Sequence, residues 1–130
     1  MDKIFNQLKA LQNNAIAPFS NYKVACLLKT DCGEFVGVNI EPDVLNLGIC
    51  GERNAVFSAL TNGAKYLEHI YLLTDSNHDF GTPCGACRQV LIQFSDENTL
   101  ITFFNLSGEF KTIKLFELLP MMWSKKDLVN

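Results

Sequence analysis

The chain has 130 residues and a formal net charge of −3, and hydrophobic residues make up 48% of it while charged residues make up 19%. This length predicts one domain over residues 1–130, and this balance excludes a disordered or fibrous chain. The acidic composition argues against a nucleic-acid partner, which requires a basic surface, and no apolar run approaches the ~20 residues that cross a membrane.

The first half of the chain is predicted to form a helix, a β-hairpin and a second helix. Apolar residues recur at helical spacing from Ile4 to Ala15, and Pro18 ends this pattern. Two β-like runs at 23–29 and 34–39 flank residues of turn chemistry and therefore predict a hairpin. An irregular loop and a helix closed by a glycine are predicted to follow at 41–48 and 51–62.

The second half is predicted to form a strand, a helix and a further hairpin. The apolar run 68–74 suits a buried strand, and Pro83 suits the first position of the next helix, with Thr82 as its N-cap. Helices that alternate with strands predict an α/β fold in three layers, with a five-stranded mixed sheet covered by helices on both faces. The remaining elements are strands at 100–105 and 110–114, a helical turn at 116–119 and the start of a last helix at 124–127.

The cysteines number five, and this odd count argues against a disulfide framework. The first four residues lack the basic and apolar regions of a signal peptide, so we expect a cytoplasmic protein with reduced thiols. In that environment, clustered cysteines are more often metal ligands or catalytic groups. Cys26 is predicted to pack in the core, and Cys32 to lie exposed in a turn.

The other three cysteines are predicted to converge. Cys84 and Cys87 are three residues apart at the opening of a helix, so their side chains share one face. Cys50 opens a different helix, and the positive end of each helix lowers the pKa of a nearby thiol. Three thiolates can therefore meet where the two helices begin.

A catalytic zinc site is the hypothesis that this cluster favours. Three protein ligands leave the fourth tetrahedral position of Zn²⁺ open for water, whose pKa the metal lowers to about 7. Three thiolates and one Zn²⁺ leave one net negative charge, which Arg53 is placed to offset. Glu52, two residues after Cys50, is the natural carboxylate to move the proton of that water.

Other interpretations of the same residues stay open at this point. Two cysteines separated by two residues also occur as redox pairs and in structural metal sites. His78 could close a site of three cysteines and one histidine, which would make the chain a non-catalytic module stabilised by zinc. A Cys-x-Glu pair has little meaning by itself, and the combination of both motifs at helix starts is what gives specificity.

Together the two motifs resemble the zinc deaminase signature. Cys50-x-Glu52 is followed, 34 residues after Cys50, by Cys84 in the sequence Pro-Cys-x-x-Cys. Over nearly its whole length the chain is similar to the small homotetrameric cytidine deaminases. The matching stretches are 17–22, 37–41, 47–53, 83–91 and 117–120.

This resemblance implies an enzyme of the cytidine-deaminase-like fold with one Zn²⁺ per chain, held by Cys50, Cys84 and Cys87. Glu52 would take a proton from the water at the metal and pass protons to ring nitrogen N3 and to the departing amine. The substrates would be cytidine and deoxycytidine, and the products uridine, deoxyuridine and ammonia, as in pyrimidine salvage.

The resemblance also assigns the residues that bind the pyrimidine nucleoside. Asn39 and Glu41 would bind the ribose, chiefly its 3′-hydroxyl. Gly51 would offer backbone groups to the base, and Tyr22 would pack against it. Trp123 would reach the base in a neighbouring subunit, so we expect a homotetramer with shared active sites.

The loop before Cys50 departs from the family pattern. The family has a tyrosine there that contacts the 5′ end of a nucleoside in a neighbouring subunit, and this chain has Leu45 near that position. The acidic Asp43 would repel a phosphate, so we expect a nucleoside rather than a nucleotide. The altered loop also keeps open a modified or aminoacylated cytosine nucleoside, as in a blasticidin-S-deaminase-like enzyme. Gly51 replaces the usual alanine of the family, which predicts a looser backbone.

Overall fold

Three α-helices and five β-strands make up the regular structure in the computed structural model, which describes residues 1–77 and 79–128. None of the helices in this described part has the length and apolar character needed to cross a membrane. The elements are α1 (Asp2–Gln12), β1 (Val24–Thr30), β2 (Gly33–Val38), α2 (Gly51–Thr61), β3 (Leu67–Thr74), α3 (Gly85–Gln93), β4 (Leu100–Phe104), β5 (Phe110–Lys114) and 3-10 turns at Leu45–Leu47, Leu115–Leu118 and Lys125–Leu128.

The strands form one mixed sheet in the order β2-β1-β3-β4-β5. β3 and β4 pair in parallel, and the other neighbours are antiparallel. Because β1 lies between two partners and is covered on both faces, it is a nearly continuous apolar run rather than an alternating one. The predicted five-stranded mixed sheet is therefore confirmed.

Alternate side chains of β1 belong to different layers of the core. Val24, Cys26 and Leu28 pack with residues of α2 and α3 on one face of the sheet. Ala25 and Leu27 point to the other face, where α1 packs. This period of two is what a strand between two layers requires, and it confirms the predicted three-layer arrangement.

The first helix ends earlier than predicted, because the chain after it pairs with a distant segment. α1 stops at Gln12, before the predicted end near Pro18. The backbone N–H of Ile16 donates to the carbonyl of Asn39 at 3.0 Å, and the N–H of Glu41 donates to the carbonyl of Ile16 at 2.8 Å. This extended pairing is incompatible with a continued helix.

The start of α3 also differs from the prediction that Thr82 caps it. The helix begins at Gly85 with Cys84 as its N-cap, and the Cys84 sulfur accepts a hydrogen bond from the backbone N–H of Cys87 at 3.4 Å. The sulfur of Cys84 therefore accepts the hydrogen bond that a side-chain oxygen accepts at most N-caps. Sequence preferences for N-cap residues do not predict a cysteine at this position.

The topology brings the starts of α2 and α3 to the same end of the sheet. β2 and β3 are both antiparallel to β1, so they run in the same direction. α2 follows β2 and α3 follows β3 along the chain. The first turns of both helices consequently lie beyond the carboxyl ends of these strands, where open α/β sheets commonly bind ligands.

Candidate functional site

Three sulfur atoms meet where α2 and α3 begin. The Sγ atoms of Cys50, Cys84 and Cys87 all lie within 4.8 Å of one another, and those of Cys50 and Cys84 are 3.9 Å apart. A tetrahedral zinc ion with bonds of about 2.3 Å to sulfur spaces two sulfur ligands about 3.8 Å apart. The geometry of the cluster therefore fits a zinc ion bound by three thiolates.

Helix starts place all three sulfurs. Cys50 and Cys84 are the N-caps of α2 and α3 with extended backbones, and Cys87 lies in the first turn of α3. The carbonyls of Cys50 and Cys84 accept the first helical hydrogen bonds, at 3.0 and 2.9 Å. Both helices thus direct their positive ends at the cluster, which stabilises negative sulfur.

Hydrogen bonds distribute charge unevenly over the cluster. A bond from the Cys87 thiol lowers the pKa of Cys50 to about 5, and Arg53 and Cys84 contribute to the same shift. The pKa of Cys87 is raised because its thiol donates to Cys50 and because it is buried. The protein therefore favours the thiolate at Cys50 over that at Cys87, and a divalent cation would supply the charge that three thiolates require.

Arg53 is the cationic partner of the sulfurs. Its Nη2 lies 3.3 Å from the Sγ atom of Cys50, and its hydrogen bonds to Cys50 and Cys87 raise its pKa above the usual range. Its Nε is buried and has no hydrogen-bond partner among the described residues. The guanidinium is therefore held at the cluster, where it offsets negative charge.

Glu52 lies beside the cluster in the first turn of α2 and is 4% exposed. Burial raises the pKa of its carboxyl to about 7, and the negative sulfur of Cys50 adds to this rise. A carboxyl in this environment can hold or release a proton near neutral pH, which is the property of a general acid–base group.

A cavity of about 390 Å³ extends from the thiols, a volume typical of small-ligand sites. We divide its lining residues into two groups and name each group by what it contains. The thiol end contains Cys50, Glu52, Arg53 and Cys84, and the loop end contains Ser20, Tyr22, Asn39, Glu41 and Leu45.

Asn39 at the loop end holds the start of β1. Its side-chain nitrogen donates to the carbonyl of Tyr22 at 2.8 Å, and its side-chain oxygen accepts from the N–H of Val24 at 2.9 Å. The bond from Val24 is buried and that to Tyr22 is partly buried, so the Asn39 side chain satisfies backbone groups that have little or no access to water. Asn39 therefore supports the wall of the pocket that it also lines.

Glu41 holds a second part of the same wall. One carboxylate oxygen accepts the backbone N–H groups of Phe19 and Ser20, each at 3.0 Å, and the other accepts the Ser20 hydroxyl. These bonds, led by that from the Ser20 hydroxyl, keep the pKa of Glu41 below its usual range. The carboxylate is therefore ionised at neutral pH and anchors the segment before β1.

The remaining predicted residues occupy three different places. Tyr22 lines the pocket and is 37% exposed. Gly51 lies against β1, where a Cβ atom would be 3.0 Å from Val24 Cγ1, so the predicted loosening is limited by tight packing. Trp123 lies outside this pocket, beside a second cavity of about 400 Å³ next to α3, and its side chain is 56% exposed.

Two threonines that sequence reasoning did not assign to the site also line the pocket beside the thiols. Thr74 ends β3, and Thr82 lies two residues before Cys84. A polar residue at the carboxyl end of a buried strand was a usable signal for Thr74. His78, the residue of the non-catalytic alternative, lies outside the described residues.

Comparisons with known proteins identify the kind of site. The family model for the cytidine and deoxycytidylate deaminase zinc-binding region matches residues 1–103. A Mycoplasma genitalium protein named cytidine deaminase is 33% identical over 119 residues, which cover 92% of each chain. The crystal structure of cytidine deaminase from Burkholderia pseudomallei superposes with a TM-score of 0.85 at 34% identity, covering 94% of this chain and 98% of that one.

A more distant relative bears on the alternative substrate. The protein named blasticidin-S deaminase from Bacillus cereus is 23% identical over 114 residues, which cover 82% of this chain and 80% of that protein. Its identity and coverage are both lower than those of the Mycoplasma genitalium protein. Sequence similarity therefore favours the cytidine deaminases.

Proposed function

The chain belongs to the zinc-binding cytidine and deoxycytidylate deaminase family, and we propose that it hydrolyses cytidine and deoxycytidine to uridine and deoxyuridine with release of ammonia. The observation that carries this function is the cluster of three sulfurs beside the buried carboxyl of Glu52, at one end of a cavity of nucleoside-binding size. In this proposal the enzyme acts in pyrimidine salvage.

Cys50, Cys84 and Cys87 are the residues that would hold one zinc ion per chain. A zinc ion held by these residues would lower the pKa of a bound water and so would supply the nucleophile at neutral pH. The side chain of Arg53 offsets the negative charge that three thiolates leave, and its contact with Cys50 supports this role.

Glu52 moves the protons of the reaction. It accepts one proton from the attacking water and delivers it to ring nitrogen N3, and it then accepts the proton of the hydroxyl added at C4 and passes it to the departing amine. Its burial supports this role, because a carboxyl away from bulk water exchanges protons with the substrate rather than with solvent. Its place in the first turn of α2 also fixes it relative to Cys50.

The loop end binds the sugar and the base. The carboxylate of Glu41 accepts a hydrogen bond from a ribose hydroxyl, and the amide of Asn39 has a second N–H donor beyond its bond to Tyr22. Tyr22 packs against the base, and the backbone at Gly51 offers it polar groups. The presence of Tyr22, Asn39 and Glu41 in one cavity supports these roles.

Neighbouring subunits complete the site in a cytoplasmic homotetramer of one-domain chains. Trp123 is exposed and lies away from its own pocket, which supports a contact with the base in another subunit. The apolar side chains of Phe19, Val44 and Leu47 are also exposed near the loop end, where a second copy would cover them. Light scattering should give four chains per particle, and a fully active monomer would contradict this arrangement.

A modified cytosine nucleoside is the second candidate substrate. The observation in its favour is Leu45, which places an apolar side chain in the wall of the pocket. An apolar wall accommodates a substituent that a hydrogen-bonding residue would not prefer.

A substrate panel separates these candidates. The zinc-loaded protein is given cytidine, deoxycytidine, deoxycytidylate or blasticidin S, and loss of the cytosine absorbance is followed together with ammonia release. We expect the two nucleosides to have the highest kcat/KM, and deoxycytidylate to react poorly. A higher kcat/KM for blasticidin S would establish the second candidate instead, and no turnover of any compound would remove the proposed function.

A further inference from the structure

Arg88 joins three segments of the chain through its side chain. Its Nε donates to the carbonyl of Pro83 at 2.8 Å, its Nη1 to the carbonyl of Leu118 at 2.9 Å and its Nη2 to the hydroxyl of Thr82 at 3.1 Å. The residue lies in α3, one turn after Cys84, and its own backbone N–H donates to the carbonyl of Cys84 at 2.9 Å. Arg88 therefore binds the two residues before Cys84 through its side chain and binds Cys84 itself through its backbone N–H.

Two of these partners, Thr82 and Pro83, are the residues directly before Cys84 in the chain. Thr82 also lines the pocket. Residues 79–84 form a loop that lies in neither a strand nor a helix. The approach of Cys84 to the other sulfurs thus depends on contacts that come from outside the loop.

The third partner provides a fixed point. The carbonyl of Leu118 ends the 3-10 turn Leu115–Leu118, in which Leu115 is fully buried and Leu118 packs against the core beside α2 and α3. A planar guanidinium presents its N–H groups at fixed angles, so it holds several acceptors in one geometry. A lysine ammonium has no such fork and cannot replace it.

We propose that Arg88 is a positioning residue for the metal site, and that it orients Cys84 by fixing Thr82 and Pro83 against the turn at Leu118. This inference rests on the proposed function, since it takes Cys84 as a zinc ligand. Groups that orient a ligand without touching the metal commonly change metal affinity 10–100-fold when they are removed. Loss of the Arg88 bonds should therefore speed the release of zinc.

The test measures zinc release to a chromophoric chelator from the intact zinc-loaded protein. We expect Arg88→Gln and Arg88→Lys to release zinc about 10–100-fold faster than the unsubstituted protein, because neither reproduces the fork. Thr82→Val removes one of the three bonds and should give a smaller increase. Gln89→Ala is the matched control, since Gln89 is the next residue of α3 and its side chain donates to the carbonyl of Trp123 at 2.8 Å, away from the loop before Cys84.

The spectrum of the cobalt-substituted protein gives a second readout. The thiolate-to-cobalt and ligand-field bands report the geometry of the sulfurs, and a residue that merely stabilises the fold would not move them. We expect the bands to shift in Arg88→Gln and Arg88→Lys and to stay unchanged in Gln89→Ala. If Arg88→Gln fails to fold, Arg88→Lys and Thr82→Val still decide the question.

Unchanged zinc release and unchanged cobalt bands in Arg88→Lys and Thr82→Val would overturn the positioning role. Equal acceleration in Gln89→Ala would do the same, because it would show a general effect of α3. An unsubstituted protein that holds no zinc would instead overturn the proposed function, so the two failures are distinguishable.

Discussion

The thiol end and the loop end of the pocket are built in opposite ways. At the thiol end, side chains from the starts of two helices interact with one another, as Cys50 does with Cys84. At the loop end, the polar side chains of Asn39 and Glu41 bind the backbone of segments that are distant in the sequence. The same residues there carry both the structure and the proposed binding role.

This difference predicts how substitutions at the two ends will behave. At the thiol end, a change that preserves the helix starts should alter metal binding or catalysis and leave the fold intact. At the loop end, a change should alter stability and substrate binding together. Substitutions at four positions test this contrast.

Glu52→Gln should give the largest effect. The amide has nearly the same shape but cannot accept and deliver protons, so kcat should fall by at least about 10²–10⁴-fold while zinc content stays near one ion per chain. Steady-state kinetics and metal analysis measure the two quantities. Glu41→Gln is the matched change at the loop end, and it should mainly raise KM. Equal losses of kcat in the two variants would break the contrast.

Asn39→Ala should strongly destabilise the fold. It leaves the backbone groups of Tyr22 and Val24 without their partner, at a cost of about 1–3 kcal/mol for the buried N–H of Val24 and less for the partly buried carbonyl of Tyr22. The free energy of unfolding is measured in urea. Asn39→Asp keeps the acceptor for Val24 and loses the donor to Tyr22, so its stability should lie between that of the unsubstituted protein and that of Asn39→Ala. Unchanged stability in Asn39→Ala would show that the loop end does not depend on this side chain.

Gly37→Ala tests how closely α2 lies on the sheet beneath the thiol end. A Cβ atom at Gly37 would lie 2.5 Å from the carbonyl oxygen of Gly51 and 2.9 Å from Ala55 Cα, so α2 would have to move. Such overpacking costs about 1–3 kcal/mol, and displacement of α2 should also weaken zinc binding.

The control for this change is Gly85→Ala at the start of α3, where a Cβ atom meets nothing within 4 Å. That substitution should leave zinc binding unchanged and stabilise the fold by up to about 1 kcal/mol. Urea unfolding and zinc titration of both variants provide the comparison, and a Gly37→Ala protein with native stability would contradict the close approach.

His69 provides a reference outside both ends of the pocket. It lies in β3, stacks on Tyr71 and hydrogen-bonds to Thr102, and burial, with a smaller contribution from Lys29, lowers its pKa from 6.5 to about 4. Between these two values the unfolded chain binds the proton first, so stability falls as the pH drops through this window.

His69→Gln lacks this contribution to the pH dependence. Relative to the unsubstituted protein, its urea midpoint should decrease less between pH 7 and pH 5, although both proteins will respond to their carboxyl groups. A parallel pH dependence in the two proteins would contradict the lowered pKa. The effect should be the smallest of the four, because His69 is only about half buried.

Much of the fold was predictable because its core elements have clear patterns. The apolar run in β3 and the helical spacing in α2 are local signals, and the structure confirms both. The end of α1 was predicted wrongly, because the pairing of Ile16 with Asn39 and Glu41 joins segments more than 20 residues apart. The cap of α3 was wrong because the sulfur of Cys84 takes the place of a hydroxyl.

The two ends of the pocket were predictable to different degrees for the same reason. At the thiol end, the spacing of Cys84 and Cys87 predicts directly that their side chains share one helix face. The family match confirms zinc binding and the deaminase family. At the loop end, the bonds of Glu41 to Phe19 and Ser20 depend on tertiary structure and carry no local signal. The roles of Asn39, Glu41 and Trp123 in substrate binding stay predictions.

Zinc titration of the metal-free protein, with ammonia release from cytidine as the readout, decides whether one zinc ion per chain is required for deamination. We predict that activity rises in proportion to added zinc and reaches its plateau at one ion per chain, because Cys50, Cys84 and Cys87 form one site. Ammonia release that is independent of zinc, or none from the fully loaded protein, would contradict a zinc-dependent cytidine deaminase.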